Sequence, residues 1–267
     1  ATTGALISGF ETVSVGAVSV ALLAASNTIG SVIFTGTGGT VAGVASGATV
    51  TQVATGANTV SNATGWTGAA DTIAVAVGGA TSTGAITQAL TATGIETATI
   101  TNTQLTSDTT ARSVGVTGAN LTKMTVVSAG TAAITITGGG VALTEIDASG
   151  VGGVVTNSAT NATAGIKLTT GAGADTLTGG AGADTLSGGA GIDIITGGAG
   201  ADTLDGGAAA DTLTGGTGID TLTGGAAADT FVYAANSATA ISSTLAAPDV
   251  ITDFTSGTDK LVITNIT

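Results

Sequence analysis

Seven aspartates recur at a constant spacing of nine residues in the last third of this 267-residue chain. Each lies in a near-copy of one nonapeptide, Gly-Gly-x-Gly-x-Asp followed by a polar, an apolar and a polar residue. Glycine permits positive φ and close backbone approach, so the first six residues predict a turn. The next three predict a minimal strand with one inward side chain. The aspartates are Asp175, Asp184, Asp193, Asp202, Asp211, Asp220 and Asp229.

Two such copies make one coil of eighteen residues. Parallel pairing would stack successive coils about 4.8 Å apart. We therefore expect Asp175, Asp193, Asp211 and Asp229 along one edge of the stack, and Asp184, Asp202 and Asp220 along the other. The centre would be filled by the apolar residue of each copy, namely Leu177, Leu186, Ile195, Leu204, Leu213, Leu222 and Phe231.

This stacking brings like charges together around a thin core. Two carboxylates about 5 Å apart repel by roughly 1 kcal/mol in bulk water, and by several times that inside a protein. One large buried side chain per copy stabilises by roughly 1.5–3 kcal/mol, which is less than the cost of ordering nine residues. The array is therefore expected to need a cation between its turns. Carboxylate and carbonyl ligands favour Ca²⁺ over Mg²⁺, because calcium accepts six to eight oxygens in irregular geometry.

The segment 169–233 resembles the calcium-binding nonapeptide arrays of RTX proteins, the β-roll of proteins exported by type I secretion. The resemblance implies that each aspartate, with turn carbonyls of its own and the next-but-one copy, holds one of several calcium ions. Thr170 replaces the first glycine of the first copy. Ala209 and Ala227 stand where a glycine with positive φ is expected, so weaker binding is expected at those turns. The glycines implied as backbone ligands are Gly171, Gly173, Gly180, Gly182, Gly189, Gly191, Gly198, Gly200, Gly207, Gly216 and Gly218.

Charge and composition exclude several classes of function. The chain has 17 acidic residues, 4 basic residues, no histidine and no cysteine, for a net charge of −13. Without a basic patch, nucleic acid and anionic membrane are poor partners. The apolar stretch 13–25 is too short to span a bilayer, so no membrane insertion is expected. Without histidine or cysteine there is no Ser-His-Asp triad, HExxH zinc site or thiol nucleophile.

A glycosidase built on paired carboxylates is the one catalytic option that the composition leaves open. Glu145 and Asp147 alternate on one predicted strand face. However, sugar sites usually stack rings on aromatic side chains, and the chain has a single tryptophan. We therefore predict that the protein is not an enzyme.

The residues before the array predict strands throughout, because short β-branched runs alternate with glycine. The predicted fold class is all-β: a parallel β-solenoid, with a calcium β-roll in the C-terminal third and either degenerate β-helix-like coils or small β-sandwich modules before it. The strand candidates are 10–15, 31–35, 72–77, 95–101, 124–127, 133–137 and 143–146. The predicted segments are 1–94, β-rich in Thr, Ala, Gly and Val; 95–168, a degenerate parallel solenoid; 169–233, the β-roll; and 234–267, a C-terminal cap.

Two regions outside the array carry related aspartates. The segment 248–264 is similar to the one that closes many RTX β-rolls, and it is predicted to cap the solenoid with an irregular hairpin. Asp253 or Asp259 is a candidate ligand for a further calcium. Asp71 lies in an isolated, degenerate copy of the aspartate unit. This pattern predicts an ordinary turn more strongly than a calcium site.

The amino-acid composition of the chain, together with the array, resembles that of the surface-layer and fibre-forming proteins that Gram-negative bacteria export by type I secretion. A solenoid has open β edges that can template another chain, and such contacts propagate without closing. We therefore predict a calcium-dependent extracellular structural protein at the bacterial cell surface, which self-assembles into a lattice or filament and has cell-surface polysaccharide as a further partner.

The alternative functions are an RTX adhesin or an ice-binding solenoid. Thr97, Thr99, Thr101 and Thr103 alternate, as outward threonines do on ice-binding solenoids. Their spacing is not repeated from coil to coil, and threonine is ordinary on a solvated strand face.

Overall fold

Strands are the only regular elements that a computed structural model of the protein describes. No helix in the described part of the chain is long and apolar enough to cross a membrane. The chain divides into an N-terminal unit, Ala1–Leu143, and a C-terminal unit, Thr144–Thr267. The described residues are 12–15, 19–21, 29–34, 40–42, 44–52, 56–61, 71–77, 86–92, 94–102, 111–128, 130–139, 142–157, 164–234 and 248–264.

The N-terminal unit is a parallel β-solenoid. Its described strands are β1 (Thr12–Val15), β2 (Ser19–Ala21), β3 (Ile29–Phe34), β4 (Thr40–Ala42), β5 (Val44–Gln52), β6 (Gly56–Ser61), β7 (Thr72–Val77), β8 (Ile86–Ala92), β9 (Thr97–Asn102), β10 (Arg112–Thr117), β11 (Lys123–Ser128) and β12 (Ile134–Gly139). Odd-numbered strands pair in parallel with odd-numbered ones, and even-numbered with even-numbered ones. Each coil therefore contributes one strand to each sheet.

The solenoid interior of this unit is filled by alternate residues of each strand. In β9, Ala98, Ile100 and Asn102 are buried, and in β11 the buried set includes Met124 and Val126. This period of two is what a strand with one solvated face requires. The parallel pairing confirms the predicted solenoid and excludes sandwich modules in the described coils.

Several strands of the N-terminal unit were missed by the sequence pattern, and coil length explains why. Thr97 pairs with Lys123, Arg112 with Ile134, and Ser31 with Thr49, so the coils differ in length. Because the coils have no fixed period, the position of a weakly apolar strand such as β6 or β10 cannot be inferred from that of the strand before it. The beginning of the candidate 10–15 lies outside the described residues.

The C-terminal unit is wound in the same way. Its described strands are β13 (Glu145–Val151), β14 (Val155–Asn157), β15 (Lys167–Thr169), β16 (Thr176–Ala181), β17 (Thr185–Ala190), β18 (Ile194–Ala199), β19 (Thr203–Ala208), β20 (Thr212–Thr217), β21 (Thr221–Ala226), β22 (Thr230–Ala234), β23 (Val250–Ile251) and β24 (Lys260–Thr264). Pairing is again parallel and between alternate strands. The apolar residues of the seven copies are 0–1 % exposed, which confirms them as the core.

Each strand of the array is longer than the three residues that the pattern predicts. β17 continues through the glycine pair to Ala190, and Gly189 pairs with Gly207 in the next coil of that sheet. The prediction placed both glycines in the turn because glycine is a poor strand former. Here the first glycine of the pair packs against an aspartate, because a Cβ added at Gly188 would overlap Asp193 Oδ2.

The predicted hairpin at the end of the array is wrong. β23 pairs in parallel with β21, and β24 pairs in parallel with β22. The segment therefore adds one more coil. The prediction failed because this segment repeats the Asp-polar-apolar-polar order of the array only loosely. The two repeats are Asp249-Val250-Ile251-Thr252 and Asp259-Lys260-Leu261-Val262, in which Val250 and Val262 stand at polar positions.

Candidate metal centre

The seven aspartates form two ladders inside the C-terminal unit, one along each edge of the coil. Each aspartate directly precedes a strand, so successive coils place aspartates eighteen residues apart above one another. All seven are 0–2 % exposed. The alternation between edges is the one that the spacing predicts, but the depth of burial was not predicted.

One oxygen of each carboxylate links consecutive coils. Asp193 Oδ1 accepts the N–H of Asp175 at 2.7 Å, and Asp202 Oδ1 accepts the N–H of Asp184 at 2.8 Å. The same bond, at 2.8–2.9 Å, joins the next three pairs along the ladders. Each Oδ1 is therefore a structural acceptor that fixes the height of the coil before it.

The second oxygen of each carboxylate has no hydrogen-bond partner. The Oδ2 atoms of all seven ladder aspartates are buried and lack a donor. An orphaned buried acceptor is rare in a folded protein and commonly marks the position of an ion or a water. Orphaned oxygens that recur in two regular rows indicate a repeated ligand.

Burial makes the charged form of these carboxylates costly. Desolvation raises the pKa of Asp175, Asp211 and Asp220 to about 6, against an ordinary value of 3.8, although backbone N–H bonds lower it. Burial also raises the pKa of the other four, Asp184, Asp193, Asp202 and Asp229. A bound cation would restore the charged form of each.

A backbone carbonyl faces each orphaned oxygen in the middle of the array. A Cβ added at Gly188 would overlap Asp193 Oδ2 and lie 2.8 Å from Gly206 O. A Cβ added at Gly179 would overlap Asp184 Oδ2 and lie 2.6 Å from Gly197 O. The space beside the first glycine of a copy is thus bordered by a carboxylate oxygen and by the carbonyl of the first glycine two copies later.

These oxygens fit a hard divalent cation. Among the described residues no three His, Cys, Asp or Glu side chains come together as a metal-binding group. Carboxylate oxygens and backbone carbonyls are therefore the protein oxygens that these positions offer to an ion. Calcium accepts this mixture, whereas magnesium demands near-ideal octahedral geometry.

The carbonyls of first-position glycines were missed by the sequence analysis, which named only second- and fourth-position glycines. Of the named glycines, the fourth-position residues Gly191, Gly200 and Gly218 lie in the turns and have positive φ, whereas second-position residues such as Gly189 lie in strands. Gly171 O already accepts the N–H of Ala190 at 2.7 Å. Their role as ligands stays a prediction. The missed set is Gly197, Gly206, Gly215 and Gly224, and the signal for it was that the first position is glycine in six consecutive copies.

The two alanines of the array adopt the glycine conformation. Ala209 has φ of 83° and Ala227 has φ of 91°. They are the only non-glycine residues with positive φ in the described part of the chain. The expected positive φ is confirmed, and each alanine therefore stores backbone strain in its turn.

The last coil extends both ladders with aspartates that lie outside the nine-residue period. Asp249 Oδ1 accepts the N–H of Asp220 at 2.9 Å, and Asp259 Oδ1 accepts the N–H of Asp229 at 3.0 Å. Asp253 accepts the N–H groups of Gly224 and Gly225 at 3.0 and 2.7 Å. These residues close the array with hydrogen bonds; calcium binding by Asp253 or Asp259 stays a prediction.

A related bond occurs between two described residues of the N-terminal unit. Glu96 Oε2 accepts the N–H of Asp71 at 2.8 Å, and both residues lie just before or near the start of a strand, β7 and β9. Asp71 directly precedes β7, as the array aspartates directly precede their strands, and the predicted turn stays a prediction. Glu145 and Asp147 share a face of β13, but Asp147 Oδ1 accepts hydrogen bonds from the N–H and the hydroxyl of Ser149.

Comparison with known proteins identifies the array. The family of RTX calcium-binding nonapeptide repeats matches in four overlapping copies, at residues 167–195, 178–213, 187–222 and 205–236. Searches of curated proteins and of solved structures gave no significant match. The orphaned oxygens, the carbonyls that face them and the family match agree, and the C-terminal region of this chain is therefore an RTX calcium-binding β-roll that holds several Ca²⁺ ions.

Proposed function

We propose that this protein is an extracellular structural subunit that folds in calcium and assembles with copies of itself at a bacterial surface. RTX repeats are typical of proteins that reach the outside by type I secretion. The matched family is a calcium-binding repeat and assigns no catalytic residue to this chain. The observation that carries the calcium dependence is the row of seven buried Oδ2 atoms without donors.

Those buried carboxylates make folding and calcium binding one process. In a compartment with little calcium, ionised aspartates resist burial, which keeps the array unfolded and suited to export. Outside, the Oδ2 atoms and the facing carbonyls bind calcium, and the binding free energy becomes folding free energy. Affinities typical of extracellular modules, roughly 10⁻⁴–10⁻³ M, would suffice there.

The last coil provides the contact for assembly. In the described residues β24 pairs with β22 on one side only. Leu261 follows Phe231 in the inward stack, but Leu261 is 47 % exposed and Ile263 is 51 % exposed because no described coil covers them. Only Lys260 carries charge on this strand. An apolar open edge of this kind fits the edge of a second copy.

Electron microscopy of the full chain in calcium tests the proposal. Filaments or a lattice are expected in calcium and should disappear in EGTA. Leu261→Lys should abolish assembly without changing the number of calcium ions bound, because a charge at the open edge opposes pairing. The matched control is Ile194→Lys, at a residue 53 % exposed on the outer face of β18. A monodisperse monomer in calcium would contradict self-assembly.

A second candidate function is binding to ice. On the even-numbered strands of the array the outward side chains are mostly threonine and repeat in register. This differs from the N-terminal unit, where Thr97 pairs with Lys123 and Thr101 with Val127; Thr103 lies outside the described residues. Thermal hysteresis in calcium would support this candidate, and its absence would contradict it. The outward threonines are Thr176, Thr178, Thr196, Thr212, Thr214 and Thr230.

A further inference from the structure

We propose that the first nonapeptide copy binds no calcium through Asp175, because it has the Thr170 side chain where the later copies have a glycine packed against the aspartate, and because the Thr170 hydroxyl occupies the facing carbonyl. This inference rests on the calcium-binding array and is independent of self-assembly. It assigns Thr170 as the residue that ends the row of calcium sites at its N-terminal side.

In the six later copies the first position is glycine, and the structure shows why. A Cβ added there would overlap the Oδ2 atom of that copy's aspartate or lie within 2.5 Å of it. At Gly206, for example, the added Cβ would lie 2.5 Å both from Asp211 Oδ2 and from Gly224 O. The aspartate oxygen therefore packs directly against the glycine, and a side chain at this position would displace it. The six glycines are Gly179, Gly188, Gly197, Gly206, Gly215 and Gly224.

The first copy has a side chain at this position. Thr170 is 3 % exposed, and its hydroxyl donates to Gly188 O at 2.7 Å. Gly188 is the first residue of the copy two places later. Its carbonyl thus corresponds to Gly197 O beside Gly179. The threonine hydroxyl therefore donates to the carbonyl that, in the later copies, faces the orphaned aspartate oxygen.

One oxygen of the Asp175 carboxyl is held by a hydrogen bond and needs no cation. Asp175 Oδ1 accepts the N–H of Val155 at 2.6 Å. The Thr170 hydroxyl also lies beside this carboxyl and lowers its pKa, but the shortest hydrogen bond of that hydroxyl is the one to Gly188 O. The short bond to Gly188 O takes the proton, and Asp175 Oδ2 stays without a donor.

That orphaned Oδ2 allows the opposite interpretation, in which Asp175 binds calcium as the later aspartates do. The two interpretations differ in the oxygen atoms that remain available to an ion. A calcium ion needs six to eight oxygen ligands around it, and in the first copy the Thr170 hydroxyl already bonds the Gly188 carbonyl. We therefore expect one fewer calcium ion than there are aspartates in the array.

The number of calcium ions bound to the full chain, counted by native mass spectrometry, tests the proposal. Thr170→Gly removes the obstruction and should bind one ion more than the wild type. Thr170→Ser keeps the hydroxyl and should bind the same number as the wild type. Circular dichroism in calcium checks that each variant keeps its β structure. An unchanged ion count in folded Thr170→Gly would overturn the proposal.

A second pair of variants keeps the test decisive if Thr170→Gly fails to fold. Asp175→Asn retains the acceptor for the Val155 N–H and should leave the ion count of the otherwise wild-type chain unchanged. Asp193→Asn, the matched change one coil later, should lower the count by at least one. A lower count in Asp175→Asn would show that Asp175 is a ligand and would overturn the proposal.

Discussion

The N-terminal and C-terminal units share one winding but fill it differently. In the N-terminal unit a strand such as β11 buries Met124, Val126 and Ser128. In the C-terminal unit a strand such as β17 buries Leu186 and then Gly188, which has no side chain to pack. The same parallel coil is therefore stabilised by apolar contacts in one unit, and by a thin core with carboxylates in the other.

Buried charge sharpens this comparison. No carboxylate is buried among the described residues of the N-terminal unit, whereas seven are buried in the C-terminal unit. A buried carboxylate opposes folding unless it is neutralised or coordinated. The difference teaches that winding alone does not set calcium dependence; the residue placed before each strand does.

Removal of calcium should give the largest effect. In EGTA the amides of β16 to β22 should lose their protection from hydrogen exchange, because the carboxylates there have no counter-ion. The amides of β7 to β12 should keep theirs. Hydrogen–deuterium exchange with mass spectrometry, with and without EGTA, measures both at once. Equal loss in the two units, or none in either, would break the comparison.

Loss of a single ladder aspartate should give the next largest effect. Asp202→Ala removes a carboxylate ligand and leaves the buried N–H of Asp184 without its 2.8 Å acceptor. An unsatisfied buried group costs about 1–3 kcal/mol. The control is Asp205→Ala, an exposed aspartate in the same copy, which should change stability by less than about 0.5 kcal/mol. Thermal unfolding in calcium compares the two variants, and equal melting temperatures would contradict the stabilising role of the ladder aspartates.

The pH dependence of the calcium-free chain should be smaller but distinctive. Burial raises the pKa of Asp175, Asp211 and Asp220 to about 6, from an ordinary 3.8. A group with a raised folded-state pKa stabilises the fold fully below its unfolded pKa, and that stabilisation is lost as pH rises through about 6. Calcium-stripped protein should therefore show more β structure by circular dichroism at pH 4.5 than at pH 7.5.

A neutral variant is the control for that prediction. Replacing Asp175, Asp211 and Asp220 together by Asn removes three titrating groups while keeping an oxygen acceptor at each position. The difference in β structure between pH 4.5 and pH 7.5 should shrink in this variant. A calcium-free wild type that gains structure as pH rises would contradict the sign of the effect.

The two units also differ in how far their sequences predict them. The fixed nine-residue period predicted the ladders, their two edges and the core from Leu177 to Phe231, because each copy repeats the register of the one before. Coils of unequal length hid strands such as β10. Asp249 was missed because it follows Asp220 after 29 residues. The carbonyls that face the orphaned oxygens were missed because the sequence does not show which backbone atoms meet across coils.

Relief of strain at the two alanine turns should give the smallest effect. A residue with a Cβ in the left-handed region costs roughly 1–2 kcal/mol, and Ala209 and Ala227 adopt φ of 83° and 91°. Ala209→Gly should therefore raise the free energy of unfolding in calcium by about 1 kcal/mol, partly offset by the greater freedom of glycine in the unfolded chain. The midpoint of the calcium titration should fall as well.

Two control variants test the small gain in the free energy of unfolding that is expected for Ala209→Gly. Ala210→Gly, one residue later and without positive φ, should give no gain, because it only adds freedom to the unfolded chain. Gly218→Ala is the reverse change at a turn with φ of 143°, where a Cβ would also overlap Gly200 O. It should destabilise by more than Ala209→Gly stabilises, since a clash adds to the strain. If Ala209→Gly and Ala210→Gly changed the free energy of unfolding in urea equally, the alanine turns would not be the weak points of the array. The stability of each turn would then depend less on its sequence than on its position in the ladder.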